Sequence, residues 1–194
     1  CWKLAAVING TTSPVLLNSY NEDPRHIAWL RHDQIFAGPD YSHFALGTQS
    51  EKIIADDAME LGQRYSSSAT VSEDKDLPPA LTPDQWAGQP GTRAPHMWIT
   101  RDGEKISTLD LFGRGWVLLT RNPEWKTASK FEDASVLCLN EDFSTEDTEA
   151  YGVLFGLSET GALLVRPDGY VAWQADTIPE NVMLTLNGHL KNIR

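Results

Sequence analysis

Residues 23–36 hold the densest set of groups that could do acid–base chemistry: His26, Arg31, His32 and Asp33. His26 and Asp33 are seven positions apart, so on a helix they share one face two turns apart. Trp29 and Asp33 are four apart and neighbours on that face. Imidazole titrates near neutral pH, and a carboxylate partner would suit it to general acid–base work. A solvated helix face accounts for the same residues without chemistry. Tyr41, His43 and Phe44 follow in a loop. Tyr or His there could donate a hydrogen bond to a substrate carbonyl, or the loop could simply cap the helix. The candidate catalytic set is therefore His26, His32, Asp33, Tyr41 and His43. Trp2, Trp29, Phe44 and Tyr65 are the candidate contacts for a small hydrophobic substrate. Metal chemistry is not indicated, because no two of the five His stand at i,i+4 spacing.

The elements that must carry these groups are readable in part. Residues 1–8 read as the end of a helix, stopped by Asn9-Gly10. A second helix is expected over 15–20. Asp23-Pro24 has the chemistry of a new helix start, Asp as cap and Pro in the first turn. Ile27, Leu30 and Ile35 continue that helix to Phe36. Residues 65–71 look like a strand, and Gly88 to Gly91 marks the domain boundary. Beyond it, short strands are expected at 97–100, 115–120 and 135–139, a turn at Arg101-Asp102-Gly103, and a helix over 124–131. Residues 161–173 read as a hairpin about Pro167-Asp168-Gly169. A terminal helix is expected over 178–193. Trp98, Trp116 and Trp173 are expected in the core. Residues 141–149 read as an acidic, solvated stretch.

Length and charge bound the rest. The 194 residues carry 16 Lys+Arg and 27 Asp+Glu, a net charge of −11. Such a balance argues against nucleic acid and anionic membrane as partners. Cys1 and Cys138 form no CxxC, so dithiol redox chemistry is not expected, and few cysteines fit a reducing, cytoplasmic setting.

Three motifs then resemble a known family. Pro90-Gly91-Thr92-Arg93-Ala94-Pro95-His96, Ser107-Thr108-Leu109-Asp110-Leu111-Phe112-Gly113 and Leu164-Val165-Arg166-Pro167-Asp168-Gly169 are similar to the C-terminal domain of FAD-dependent aromatic hydroxylases, the phenol-hydroxylase-like class A flavin monooxygenases. Trp2-Lys3-Leu4-Ala5-Ala6-Val7 resembles the helix after that family's second flavin motif. Where the family continues with Glu-Arg, this sequence has Asp23-Pro24. The resemblance implies an α/β fold: a thioredoxin-like domain without CxxC over residues 89–194, preceded by a helical segment and linker over 1–88. It implies no cofactor held by this chain, since neither GxGxxG nor the Gly-Asp-Ala motif occurs in it.

Two functions remain open. One is a free-standing, cofactor-independent protein that binds a hydrophobic secondary metabolite and catalyses a cyclisation, isomerisation or pericyclic step of Diels–Alder type. The other is the C-terminal structural or dimerisation part of an FAD-dependent aromatic hydroxylase. In either, the surface around Trp2 and Trp29 would meet an apolar ligand, solvent or a second chain, as in a homodimer.

Overall fold

Val117-Leu118-Leu119-Thr120 and Ala162-Leu163-Leu164-Val165 are apolar on both faces, the pattern of strands covered from two sides. In the computed structural model they are the central strands of a four-stranded sheet. The structure describes residues 2–38, 40, 53–66, 69–70, 77–130 and 134–189. The described helices are α1 (Trp2–Ile8), α2 (Ser19–Ala37), α3 (Asp56–Leu61), α4 (Pro83–Trp86), α5 (Thr148–Phe155) and α6 (Val182–His189). The strands are β1 (Trp98–Arg101), β2 (Glu104–Ser107), β3 (Val117–Thr120), β4 (Ser135–Cys138), β5 (Ala162–Val165) and β6 (Val171–Ala175).

The main sheet runs β4-β3-β5-β6, with β3 and β4 parallel and the other pairs antiparallel. Leu118 pairs with Leu164, and Leu164 with Trp173, so these three face one side. There they pack with Trp125 and Ala128 of a 3-10 helix (Pro123–Lys130) and with Val182 and Leu186 of α6. Leu119, Leu163 and Val165 face the other side, against Tyr151 and Phe155 of α5 and Ile99 of the separate β1–β2 hairpin. The expected α/β architecture is therefore present.

The N-terminal helices are joined to this body through the core as well as through the chain. Leu16 is fully buried in the same cluster as Leu118 and Trp125. Residues 91–94 lie along β6: the Gly91 N–H donates to Val171 O, Val171 N–H to Thr92 O, and Ala94 N–H to Gly169 O.

Several expectations are corrected. Asp23-Pro24 does not start a helix. A 3-10 turn (Pro14–Asn18) runs directly into α2, which passes through that point. The earlier turn supplies the nucleus, and the missing proline N–H costs one bond near the helix start. Residues 65, 66, 69 and 70 belong to no strand, and residues 67, 68 and 71 lie outside the described residues. Trp98 is 56% exposed, because β1 belongs to the hairpin and not to the main sheet. The helix expected over 124–131 is present as a 3-10 helix over Pro123–Lys130, with residue 131 outside the described ones. The last helix begins at Val182, where the Asn181 side chain accepts from Leu184 N–H, and residues 190–194 lie outside the described ones. Within the acidic stretch Phe143 is buried, and α5 starts at its end on an Asp147 cap.

Tyr151 carries one prediction. Its ring stacks on Phe155 with centroids 4.5 Å apart, yet its buried hydroxyl has no partner among the described residues. Burial, with the neighbouring Cys138, pushes the phenol well above its usual range. Tyr151→Phe removes a desolvated hydroxyl and keeps the stacked ring. It is expected to leave stability unchanged or to raise it by about 1 kcal/mol, read from the urea midpoint. A loss above about 1 kcal/mol would mean that the hydroxyl is satisfied.

Candidate functional site

The candidate acid–base pair falls on α2, but with different partners. His32 Nδ1 lies 3.1 Å from Asp33 Oδ1, and His26 is exposed elsewhere on the helix. Two turns put His26 and Asp33 about 10.5 Å apart along the axis, too far for contact. Trp29 meets His32, not Asp33, edge-on at 5.5 Å, and His32 in turn meets Phe36 at 4.6 Å. The result is an aromatic stripe on the outer face of α2, with Trp29 58% exposed. An exposed His–Asp pair can exchange protons with solvent but encloses nothing. Tyr41, His43 and Phe44 lie outside the described residues.

A cleft of about 570 Å³ opens beside this helix, between its C-terminal half and residues 53–60. Its polar groups already tie its two walls together. Arg31 Nη2 donates to Glu60 Oε2 at 3.2 Å and to Met59 O, and Gln34 Oε1 accepts from Ile54 N–H at 2.7 Å.

The structure brings Trp2 and Tyr65 into one cluster with residues the sequence shows only as turn chemistry. The hairpin turn between β5 and β6 closes through Gly169 N–H to Arg166 O and Arg166 N–H to Tyr170 O. Arg166 is 1% exposed. Its Nε donates to Asp168 Oδ1 at 3.0 Å and its Nη2 to Asp168 Oδ2 at 2.6 Å. The same Oδ2 accepts from Trp2 Nε1 at 2.7 Å. The guanidinium lies over the Trp2 ring and the Tyr170 ring, each at 5.6 Å. Tyr170 packs on Tyr65 at 4.6 Å, and Trp2 stands edge-on to Trp116 at 5.6 Å. The next residue, buried Lys3, donates from Nζ to Ser19 Oγ at 2.7 Å, over the Tyr20 ring. The cluster is a junction between the N-terminal helices and the sheet. It contains neither Trp29 nor the His32–Asp33 pair. The sequence shows Arg166 and Asp168 as turn residues of a family-like motif but not their pairing with Trp2, which lies 166 positions from Asp168.

The electrostatics of the junction give a pH dependence. Burial pushes the Asp168 carboxyl up, but the hydrogen bonds and charge of Arg166, with the Trp2 N–H and the Lys3 charge, outweigh it and hold the carboxyl below its usual range. The folded chain thus binds fewer protons at Asp168 than the unfolded chain. The stabilisation is present above about pH 4 and is lost as pH falls through the lowered value. Urea midpoints measured from about pH 6 to pH 3 should fall more for this chain than for Asp168→Asn. Equal slopes would show that the pair does not contribute.

The described residues do not fit a flavin dinucleotide. No strand leads through a glycine-rich turn into a helix N-terminus, the arrangement that cradles a pyrophosphate. The starts of α5 and α6 are taken by Asp147 and Asn181, and α2 is fed directly by the 3-10 turn before it. No group of three or more His, Cys, Asp or Glu among the described residues could hold a metal ion. No described helix is long and apolar enough to cross a membrane.

Comparison with known proteins adds the whole chain to this picture. The model of the family described as aromatic-ring hydroxylase, C-terminal, matches residues 87–192. Aklavinone 12-hydroxylase RdmE of Streptomyces purpurascens is 34% identical over 99% of this chain and 37% of its own length. The 4-methyl-5-nitrocatechol 5-monooxygenase of Burkholderia sp is 33% identical over 98% of this chain and 38% of its own length. The crystal structure of aklavinone-11 hydroxylase with FAD and aklavinone superposes with a TM-score of 0.86, at 32% identity, over 99% of this chain and 37% of that one. The chain thus spans somewhat over a third of the length of the relatives it matches. It matches their C-terminal portion.

Proposed function

We propose, from the premise that the chain belongs to the aromatic-ring hydroxylase family as its C-terminal portion, that it serves a flavin-dependent hydroxylase acting on a fused-ring aromatic substrate. The observation that carries this reading is continuity. The likeness covers 99% of the chain at TM-score 0.86, so the residues that form the junction around Asp168 lie within the superposed region. In this reading the chain's residues do not perform the oxygen chemistry, consistent with a donor set that does not fit the flavin. Their work is to hold α1 and α2 against the sheet. The finer thioredoxin-like description of the sheet domain, with a boundary near residue 88, is part of the same reading. So is a setting in aromatic secondary metabolism, as in the polyketide hydroxylases among the relatives.

Cofactor-independent cyclisation has less behind it. It needs an enclosed apolar pocket with a poised donor. The cleft beside α2 is open and lined by Arg31, Gln34, Asp56 and Glu60 among others, and the His32–Asp33 pair is exposed.

The test is to purify the natural gene product that contains this chain and to supply a tetracyclic aromatic such as aklavinone. Bound flavin, seen by its visible absorbance, and a product heavier by one oxygen atom are expected, with consumption of O2 and a two-electron reductant. A product free of flavin that converts such a substrate without O2 would overturn the proposal.

A further inference from the structure

We infer that Asp142 is an edge guard: its carboxylate closes the outer side of β4, so that the main sheet does not add a strand from a second copy of the chain. Among the described residues β4 is the last strand of the sheet on its side, and its sheet partner is β3. The N–H groups of Ser135 and Leu139 donate to Trp116 O and Thr120 O. Backbone groups of alternate residues in a strand point in opposite directions, so Val136 and Cys138 turn theirs outward. Such a row is a template for another strand, and Val136-Leu137-Cys138 is apolar throughout.

The chain closes this edge itself. The Cys138 N–H donates to Asp142 Oδ2 at 2.7 Å, and its carbonyl accepts from the N–H groups of Glu141 and Asp142. A hydrogen bond to an ionised acceptor is among the stronger ones. The chain doubles back at Asn140, which takes φ +68 and whose N–H donates to Phe143 O at 2.7 Å. Phe143 is buried in the core and holds the turn down. Lys126, on the 3-10 helix packed beside β4, reaches Glu141 Oε2 at 2.5 Å and Asp142 Oδ2 at 3.5 Å, and keeps the acidic pair at the edge. Past the turn, Ser144 and Thr100 exchange backbone bonds at 2.8 and 2.9 Å, so pairing passes to β1 and not to an incoming strand. All of these groups lie between Thr100 and Ser144, inside the span that the family model matches.

The experiment uses the natural gene product that contains this chain and needs no activity. Its mass is read by light scattering over a range of concentrations, with amide hydrogen exchange on the same samples. Asp142→Ala removes the acceptor and frees the Cys138 N–H. Asp142→Asn keeps a carbonyl oxygen in its place. Asp142→Ala is expected to raise the mass towards about twice that of the unaltered product as concentration rises, and Asp142→Asn to leave it unchanged. In associated Asp142→Ala, exchange at the Val136 amide should slow by about tenfold or more, because the added strand takes its N–H. Amides of Leu118 and Leu164 should keep their protection in every variant, since the sheet itself is intact. An unchanged mass for Asp142→Ala would overturn the inference. So would association that leaves Val136 exchange unchanged, or that Asp142→Asn shares in full. Lost protection at Leu118 and Leu164 in Asp142→Ala would overturn it too, by making Asp142 a support of the core.

Discussion

Replacing Trp125 with alanine is expected to lower the unfolding free energy by about 3–5 kcal/mol, the range for deleting a large buried aromatic. Trp125 is fully buried in a cluster with Leu118, Leu164 and Trp173 of the sheet and Val182 and Leu186 of α6. Its ring meets Trp173 edge-on at 6.0 Å, and its Nε1 donates to Thr160 O at 2.9 Å. The 3-10 helix that carries it has poor intrinsic hydrogen-bond geometry, so it depends on this anchor more than an α-helix would. The cavity cannot close easily, because Leu118, Leu164 and Trp173 are fixed by strand register. Trp125→Phe should cost less, since most of the ring volume remains and the Thr160 carbonyl can turn to water. Urea unfolding of both variants checks the order. A Trp125→Ala loss below about 1 kcal/mol would mean that the 3-10 segment is not part of the cooperative core.

The contrast between the legible and the illegible parts of the sequence follows from how far each determinant reaches. Val117–Thr120, Ala162–Val165 and the Pro167-Asp168-Gly169 turn are specified by neighbours within a few positions, and they appear where the pattern puts them. Asp102-Gly103 closes the β1–β2 hairpin with positive φ at both residues, as turn chemistry expects. β2 itself has no apolar alternation, because Glu104 and Lys105 both face solvent, and so it leaves no trace. α5 is hidden for another reason: Gly152 interrupts its pattern and an acidic run precedes it. A Cβ there would lie 2.7 Å from Arg121 Nη1, the movable end of a side chain, and 3.1 Å from the backbone Leu157 O. At the candidate site the types of residue were informative and their pairings were not. Trp2 and Tyr65 stand out as aromatic residues with work to do. That both gather about Arg166 and Tyr170 depends on the whole chain folding back on itself. His26 and Asp33 were paired by helical periodicity alone, and local geometry favours the adjacent His32.

Gly156→Ala should be as damaging as the loss of a core side chain, although it adds a single methyl group. Gly156 ends α5 at φ +59, in the left-handed region where an L-residue pays about 1–2 kcal/mol. That term alone is what Gly10→Ala should cost, since Gly10 has φ +71 and open space around its missing Cβ. At Gly156 the added Cβ would lie 2.0 Å from Ala87 O and 2.7 Å from Gln174 Nε2, whose bond to Gly156 O it would disturb. The obstacle is backbone, which cannot swing aside as a side chain can. The approach is mutual: a Cβ on Gly88, at φ +71, would lie 2.1 Å from Phe155 O. Two glycines thus let the turn at 87–88 lie flat on the end of α5. Pushing it away would disturb the end of the helix that carries the buried Tyr151 and Phe155. Gly156→Ala is therefore expected to lose about 3 kcal/mol or more, against about 1 kcal/mol for Gly10→Ala. Equal losses in urea unfolding would show that the turn at 87–88 yields freely, and that its contact with α5 adds nothing to the fold.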